Sequence, residues 1–281
     1  MDLRRGTFPI FHIDAFADRP FTGNPAAVCL LDEFPDDATL QNIAAEFNLA
    51  ETAFVVPRGD HYDLRWFTPT VEVDLCGHAT LASAHALWEF GALPPTATAK
   101  FSTRSGMLEA VRDGADIRLD FPALPVTPCP TPEGLAKALG VAPRFVGATP
   151  CDYLVQVGTA DEVRNLAVDL SILRRLGLRG VIVTAVADDP ETDIISRFFA
   201  PGAGIDEDPV TGSAHCALAT FWQSRLPRKN AAGLTEYRAY QASRRGGRLR
   251  VALAADRVHL YGRAITIYRG MFYATSSSAK T

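Results

Sequence analysis

The feature that most constrains how this 281-residue chain can fold is a partial likeness of its first half to its second. Arg65-Trp66-Phe67-Thr68-Pro69 returns as Arg197-Phe198-Phe199-Ala200-Pro201, an offset of 132 residues. Gly77-His78-Ala79-Thr80-Leu81-Ala82 returns as Gly212-Ser213-Ala214-His215-Cys216-Ala217 at 135, and Gly106, Leu108, Ile117 and Leu119 match Gly247, Leu249, Val258 and Leu260 at 141. Three matches in one order, with a slowly growing offset, describe a duplicated unit whose loops lengthened while its elements kept their order.

Each half follows one plan. A strand alternates apolar and polar residues, with Tyr62, Leu64 and Trp66 on one face and Asp63 and Arg65 on the other, the period-2 pattern of a half-buried strand. A Pro-containing loop follows, then a helix of about twelve residues, then a Gly-centred hairpin. Ahead of these lies a polar-faced helix, marked by Leu40, Ile43, Ala44 and Phe47 in the first half and by Leu170, Leu173 and the run 176–178 in the second. The two repeated helices, 78–88 and 213–222, carry no Lys, Arg, Asp or Glu on any face up to the tryptophan that ends each. A helix apolar all round is a buried one. The expected fold is therefore α+β: two similar halves, each a barrel-like, mostly antiparallel sheet wrapped around a central buried helix. The first half spans 1–124, with about 264–281 as the segment that would complete it, and the second spans 133–263. The Pro-rich stretch 122–132 is poor in regular structure and supplies a linker at 125–132. The Ser-rich tail 275–281 is expected to fray.

Composition narrows the function. With 32 acidic against 28 basic residues, the formal charge of −4 suggests neither a nucleic-acid nor a membrane partner. No stretch approaches the roughly 20 apolar residues of a membrane span, and the apolar run after Arg4 and Arg5 is broken by His12 and Asp14, unlike a secretory signal. The five cysteines (Cys29, Cys76, Cys129, Cys151, Cys216) are scattered and form no Cys-x-x-Cys pair. A reduced, cytoplasmic protein without a disulfide framework or structural zinc site is expected.

Chemistry can sit in a few places. Both buried helices begin at a Gly-led turn, 76–80 and 211–214, where free backbone N–H groups and the helix dipole suit an anion. Facing each other across an interdomain cleft, they would grip a carboxylate; a tight helix entry alone would equally explain each glycine. Glu51 lies after a helix and at the mouth of an apolar strand, where desolvation suits a carboxyl group to general base work. A solvated Glu at a strand end has the same signature. Asp208, within Asp206-Glu207-Asp208-Pro209, can orient a substrate or carry a second proton, or simply compensate the helix terminus. His78 can relay a proton near neutral pH or serve as a hydrogen-bonded core residue. Cys76 can act as a thiolate or as a small buried hydrophobe. Arg244, Arg245, Arg248 and Arg250 flank Gly246-Gly247 as a solvated hairpin rim, from which one arginine can reach a carboxylate.

Together these motifs resemble the PhzF-like family of isomerases, within the diaminopimelate-epimerase superfamily. The segments that carry the resemblance are Asp14-Ala15-Phe16 through Phe21-Thr22-Gly23-Asn24-Pro25-Ala26-Ala27-Val28, Asn48-Leu49-Ala50-Glu51-Thr52-Ala53-Phe54, Arg65-Trp66-Phe67-Thr68-Pro69, Leu75-Cys76-Gly77-His78-Ala79-Thr80, and Glu207-Asp208-Pro209-Val210-Thr211-Gly212-Ser213-Ala214. The resemblance implies an active site between the halves, proton transfer without cofactor or metal, and a homodimer. It places the catalytic glutamate at Glu51, supported by His78, Asp208 and Ser213, with Asn24 in the Gly-Asn-Pro turn. Cys76, Gly77, Ala79, Gly212, Ser213 and Ala214 would help hold the substrate, a small unsaturated or amino carboxylic acid. Relatives that are true epimerases use two facing cysteines; here Cys76 takes the first place and Asp208 the second, which argues against a two-thiol racemase. A racemase or epimerase using Cys76, and a non-catalytic binder of a metabolite or protein, are the alternative readings.

Overall fold

A computed structural model describes residues 7–273; the Ser-rich tail 275–281 lies outside the described residues. The chain forms two compact units. The first takes the described residues up to Phe21, Pro25–Leu119, and the chain from Arg263 onward; the second takes Thr22–Asn24 and Asp120–Gly262.

Among the described residues, each unit strings eight principal strands together in one pattern. In the first, the order is Ala264–Tyr273, Thr7–Ala15, Asn24–Leu30, Glu51–Pro57, Tyr62–Phe67, Ala99–Thr103, Gly106–Asp113 and Asp116–Pro122. In the second, it is Thr127–Pro128, Phe145–Ala148, Asp152–Gln156, Gly180–Val186, Ile194–Phe199, Thr235–Gln241, Gly247–Ala254 and Arg257–Gly262. The third and fourth strands of each series run parallel, as do the fifth and sixth. Antiparallel pairing joins the first to the second, the fourth to the fifth, and the sixth through the eighth in both. The duplication read from three short motifs therefore extends to all eight principal strands of each unit. The strands do not close into a barrel.

The two helices without charge up to their tryptophans are central. Gly77–Phe90 buries ten residues between His78 and Trp88 and packs against Thr7–Ala15, Glu51–Pro57, Gly106–Asp113 and Ala264–Tyr273. Gly212–Trp222 packs against Thr235–Gln241, Gly247–Ala254 and Arg257–Gly262. Small residues on every side (Ala79, Ala82, Ala84, Ala86; Ala214, Ala217, Ala219) let the strands approach, and all are essentially inaccessible. On the other face of the first sheet, Asp37–Phe47 seats Leu40, Ile43 and Ala44 against Phe8, Phe54 and Phe67. Asp36 caps this helix through the Thr39 N–H, and Asn48 ends it in the left-handed conformation, turning the chain directly into the strand that starts at Glu51.

The second half departs from expectation before its strand Gly180–Val186. In place of one helix through 170–178, a four-residue turn Leu170–Leu173 is followed by a 3₁₀ segment, Arg174–Leu176, and a left-handed Gly177. Two further short helices, Leu135–Leu139 and Ala160–Arg164, complete that core. The unit boundary at 119/120 precedes the Pro-rich stretch, where Thr127–Pro128 pairs with Gly147–Ala148 as an edge strand that tolerates proline. No helix among the described residues is long and apolar enough to cross a membrane.

Candidate active site

In the first unit, three predicted residues come together. Glu51 opens its strand, Cys76 is the N-cap of the central helix, and His78 is the second residue of that helix. His78 Nε2 lies 3.3 Å from Glu51 Oε2, and its Nδ1 lies 3.5 Å from Cys76 Sγ. All three are buried, with 9%, 6% and 4% of Glu51, Cys76 and His78 accessible. Burial pushes the His78 imidazole down to about 3, because desolvation penalises its charged form. The ring is therefore neutral at physiological pH and carries one proton. Nδ1 is the ring atom within hydrogen-bonding reach of the Cys76 thiol, and Nε2 lies against Glu51 Oε2 without hydrogen-bond geometry between those two atoms.

One ligand atom from each of these residues lies within 4.8 Å of the others. Thiolate, imidazole and carboxylate are a donor set that zinc accepts. The positive end of the helix that Cys76 caps opposes a cation there, so the cluster suits proton chemistry better than a metal.

In the second unit, Asp208 is buried and held at both oxygens. Asn24 Nδ2 donates to Oδ1 at 2.8 Å, and the Thr211 hydroxyl donates to Oδ2. Asn24 Nδ2 also donates to the Val210 carbonyl at 3.0 Å, and Gln241 braces the turn from Nε2 to the Asp208 carbonyl at 2.7 Å and from Oε1 to the Thr211 N–H at 2.9 Å. Burial outweighs the donated hydrogen bonds and the nearby Arg179 charge, lifting the Asp208 carboxyl to about 6. Such a group holds a proton in part near neutrality.

The two helix starts match in detail. Thr80 Oγ1 donates back to the Cys76 carbonyl at 2.5 Å, and His215 Nδ1 donates to the Thr211 carbonyl at 2.8 Å. Neither N-cap side chain bonds its own first turn, whereas Asp36, Thr159 and Asp169 cap theirs. The N–H groups at 77–79 and 212–214 thus donate no hydrogen bond to the cap side chain. Cys76 and Thr211 are both N-caps of their helices, and Asp208 sits three residues before Thr211, bonded to its hydroxyl. No thiol stands at either place in the second unit, and no disulfide joins any of the five cysteines.

The arginine rim is engaged elsewhere. Arg245 bonds the Gly23 and Thr22 carbonyls, Arg248 bonds Thr192, and Arg250 pairs with Glu236. The arginine beside the second helix start is instead Arg179, which, like Asp152 and Gln241, no sequence pattern singles out. Arg179 Nη2 lies 3.0 Å from Ser213 Oγ.

The duplicated α+β fold is an epimerase-like one. A solved hydroxyproline epimerase from Agrobacterium vitis shares this fold, with a TM-score of 0.62 at 13% identity over 97% of this chain and 94% of that one. The pattern defining the phenazine biosynthesis-like protein (PhzC-PhzF) family matches residues 13–270, and the chain belongs to that family. An uncharacterized isomerase of Halalkalibacterium halodurans is 48% identical over 94% of this chain and 97% of its own. The crystal structure of an Enterococcus faecalis PhzF-family protein superimposes with a TM-score of 0.89 at 39% identity, covering 95% of this chain and 100% of that one. The chain is an isomerase of this family.

Proposed function

We propose that this isomerase moves a proton on a small unsaturated or amino carboxylic acid, with Glu51 as the proton carrier and no cofactor. The observation that carries the reading is the buried 3.3 Å contact between Glu51 and a neutral His78. The imidazole is neutral and keeps its own proton, so the carboxyl group beside it is the proton-moving member of the pair. Glu51 removes a proton from carbon and returns it at another position of the substrate, so a single carboxyl group acts first as base and then as acid. The N–H groups at 77–79, at the start of the helix that carries His78, hold the substrate's carboxylate. Positioned acid–base groups of this kind contribute roughly 10²–10⁴-fold in rate.

A screen of small carboxylic acids in heavy water, followed by NMR, tests the proposal. At least one acid should acquire deuterium at carbon and appear as a double-bond or positional isomer. A panel in which ligands bind tightly and none exchanges would contradict it and favour a binding protein. The second reading, a cysteine-dependent racemase, draws on the 3.5 Å approach of Cys76 to His78, and it requires inverted stereochemistry in the product.

A further inference from the structure

Strand pairing identifies equivalent positions in the two units without reference to residue type. Thr52 pairs with Phe67 in the first, and Val181 pairs with Phe199 in the second; Phe67 and Phe199 are the same place in the repeated strand. Glu51 therefore corresponds to Gly180, and the residue before it, Ala50, to Arg179. His78 corresponds to Ser213, each being the second residue of its central helix. Where the first unit sets an imidazole against a carboxylate at 3.3 Å, the second sets a hydroxyl against a guanidinium at 3.0 Å.

Arg179 is held on several sides. Its Nε and Nη2 donate side-on to both oxygens of buried Asp152 at 2.9 and 2.5 Å, and its guanidinium carbon lies 5.4 Å from the centroid of the Phe198 ring. Gly180 makes the approach possible, since a Cβ there would fall 2.5 Å from the Phe199 carbonyl oxygen and 2.8 Å from the Phe198 ring. Of the five N–H bonds of the guanidinium, two go to Asp152 and one to Ser213, and the two on Nη1 meet no protein acceptor among the described residues. Ser213 Oγ accepts from Arg179 and so keeps its own proton to donate. A guanidinium with its rotamer locked and one edge open loses little conformational entropy on meeting an anion. It also exchanges no proton at physiological pH, which separates this place from its counterpart at Glu51.

We infer that Arg179, locked by Asp152 and presenting Nη1–H beside the Ser213 hydroxyl, is a clamp for a small carboxylate. The identity of the anion as a carboxylate rests on the isomerase reading above. Calorimetric titration of wild type, Arg179→Gln, Arg179→Lys and Asp152→Asn with benzoate, crotonate and sorbate, each against its amide, tests the clamp. In wild type, at least one acid should bind roughly 10–100-fold more tightly than its amide, the range expected for a hydrogen bond to a charged group. Arg179→Gln should erase that preference. Arg179→Lys should restore part of it, because an ammonium supplies charge without the fork. Asp152→Asn should weaken it with Arg179 still in place, an effect that lost packing at residue 179 does not produce. If Arg179→Gln fails to fold, the other two variants carry the comparison. Absence of any acid-over-amide preference in wild type, or a preference undiminished in folded variants, overturns the clamp. Failure of the isomerase reading shows separately, as an acid that binds without taking up deuterium.

Discussion

Glu51 and His78 meet at 3.3 Å because one opens a buried strand and the other stands in the first turn of the helix packed against that strand. Neither group has the mobility of a surface side chain, and both are shielded from water. The proposed chemistry follows from this enclosure, which keeps the imidazole neutral and leaves the carboxyl group to accept and return the proton.

The imidazole itself should not titrate in the physiological range. Burial lowers it from an ordinary 6.5 to about 3, so its stabilising contribution is complete above pH 6.5 and is lost as pH falls from there toward 3. Carbon–proton correlation spectra should show the His78 ring signals unmoved between pH 8 and 5. A midpoint near 6.5 would mean that the ring is solvated or ion-paired with Glu51.

Asp208 should act in the opposite sense. Its carboxyl group is raised from 3.8 to about 6, so the folded state holds the proton more tightly than the unfolded chain does. That contribution is complete below pH 3.8 and disappears as pH rises through 6, about 3 kcal/mol for a shift of about two pH units. Urea unfolding of wild type and Asp208→Asn at pH 4 and pH 7.5 isolates it. The wild-type advantage should shrink at the higher pH, and a growing advantage would refute the assignment.

Cys76 approaches His78 as a hydrogen-bonding partner and has no proton to carry in the proposed reaction. Cys76→Ser should therefore retain isomerisation within about tenfold, since a hydroxyl also donates to Nδ1. A loss of several orders of magnitude, with the fold intact by circular dichroism, would transfer the proton-carrying role to the thiol.

Gly180 is required by the close approach of two strands. Gly180→Ala places a methyl group against the Phe199 carbonyl, and overpacking of this kind costs about 1–3 kcal/mol. Thermal unfolding should show a clearly lowered Tm together with weaker acid-over-amide discrimination, because Arg179 precedes the displaced residue.

Much of this architecture is legible in the sequence, and the reasons are physical. The 77–90 and 212–222 helices announce themselves because a helix without charges has only one place to go, and Asp36 with the Leu40, Ile43 and Ala44 stripe marks the helix Asp37–Phe47. The segment 170–178 misleads because its leucines have a helical spacing while Gly177 ends the turn. The short helix Ala160–Arg164 carries a readable capping box in Thr159 and Glu162, yet is too short to show a period. Asn24 and Asp208 are 184 residues apart and meet through the fold alone. Arg179 carries no signal in the sequence because the repeated letters begin at Arg197, and its counterpart Ala50 shares no chemistry with it; only strand register relates the two.

Deuterium uptake at carbon is the most direct measure of the proton carrier. With an acid that wild type isomerises in heavy water, Glu51→Gln should bind that acid normally and incorporate label about 10²–10⁴-fold more slowly. Incorporation at the wild-type rate in a folded Glu51→Gln protein would contradict the account, whatever the geometry around His78.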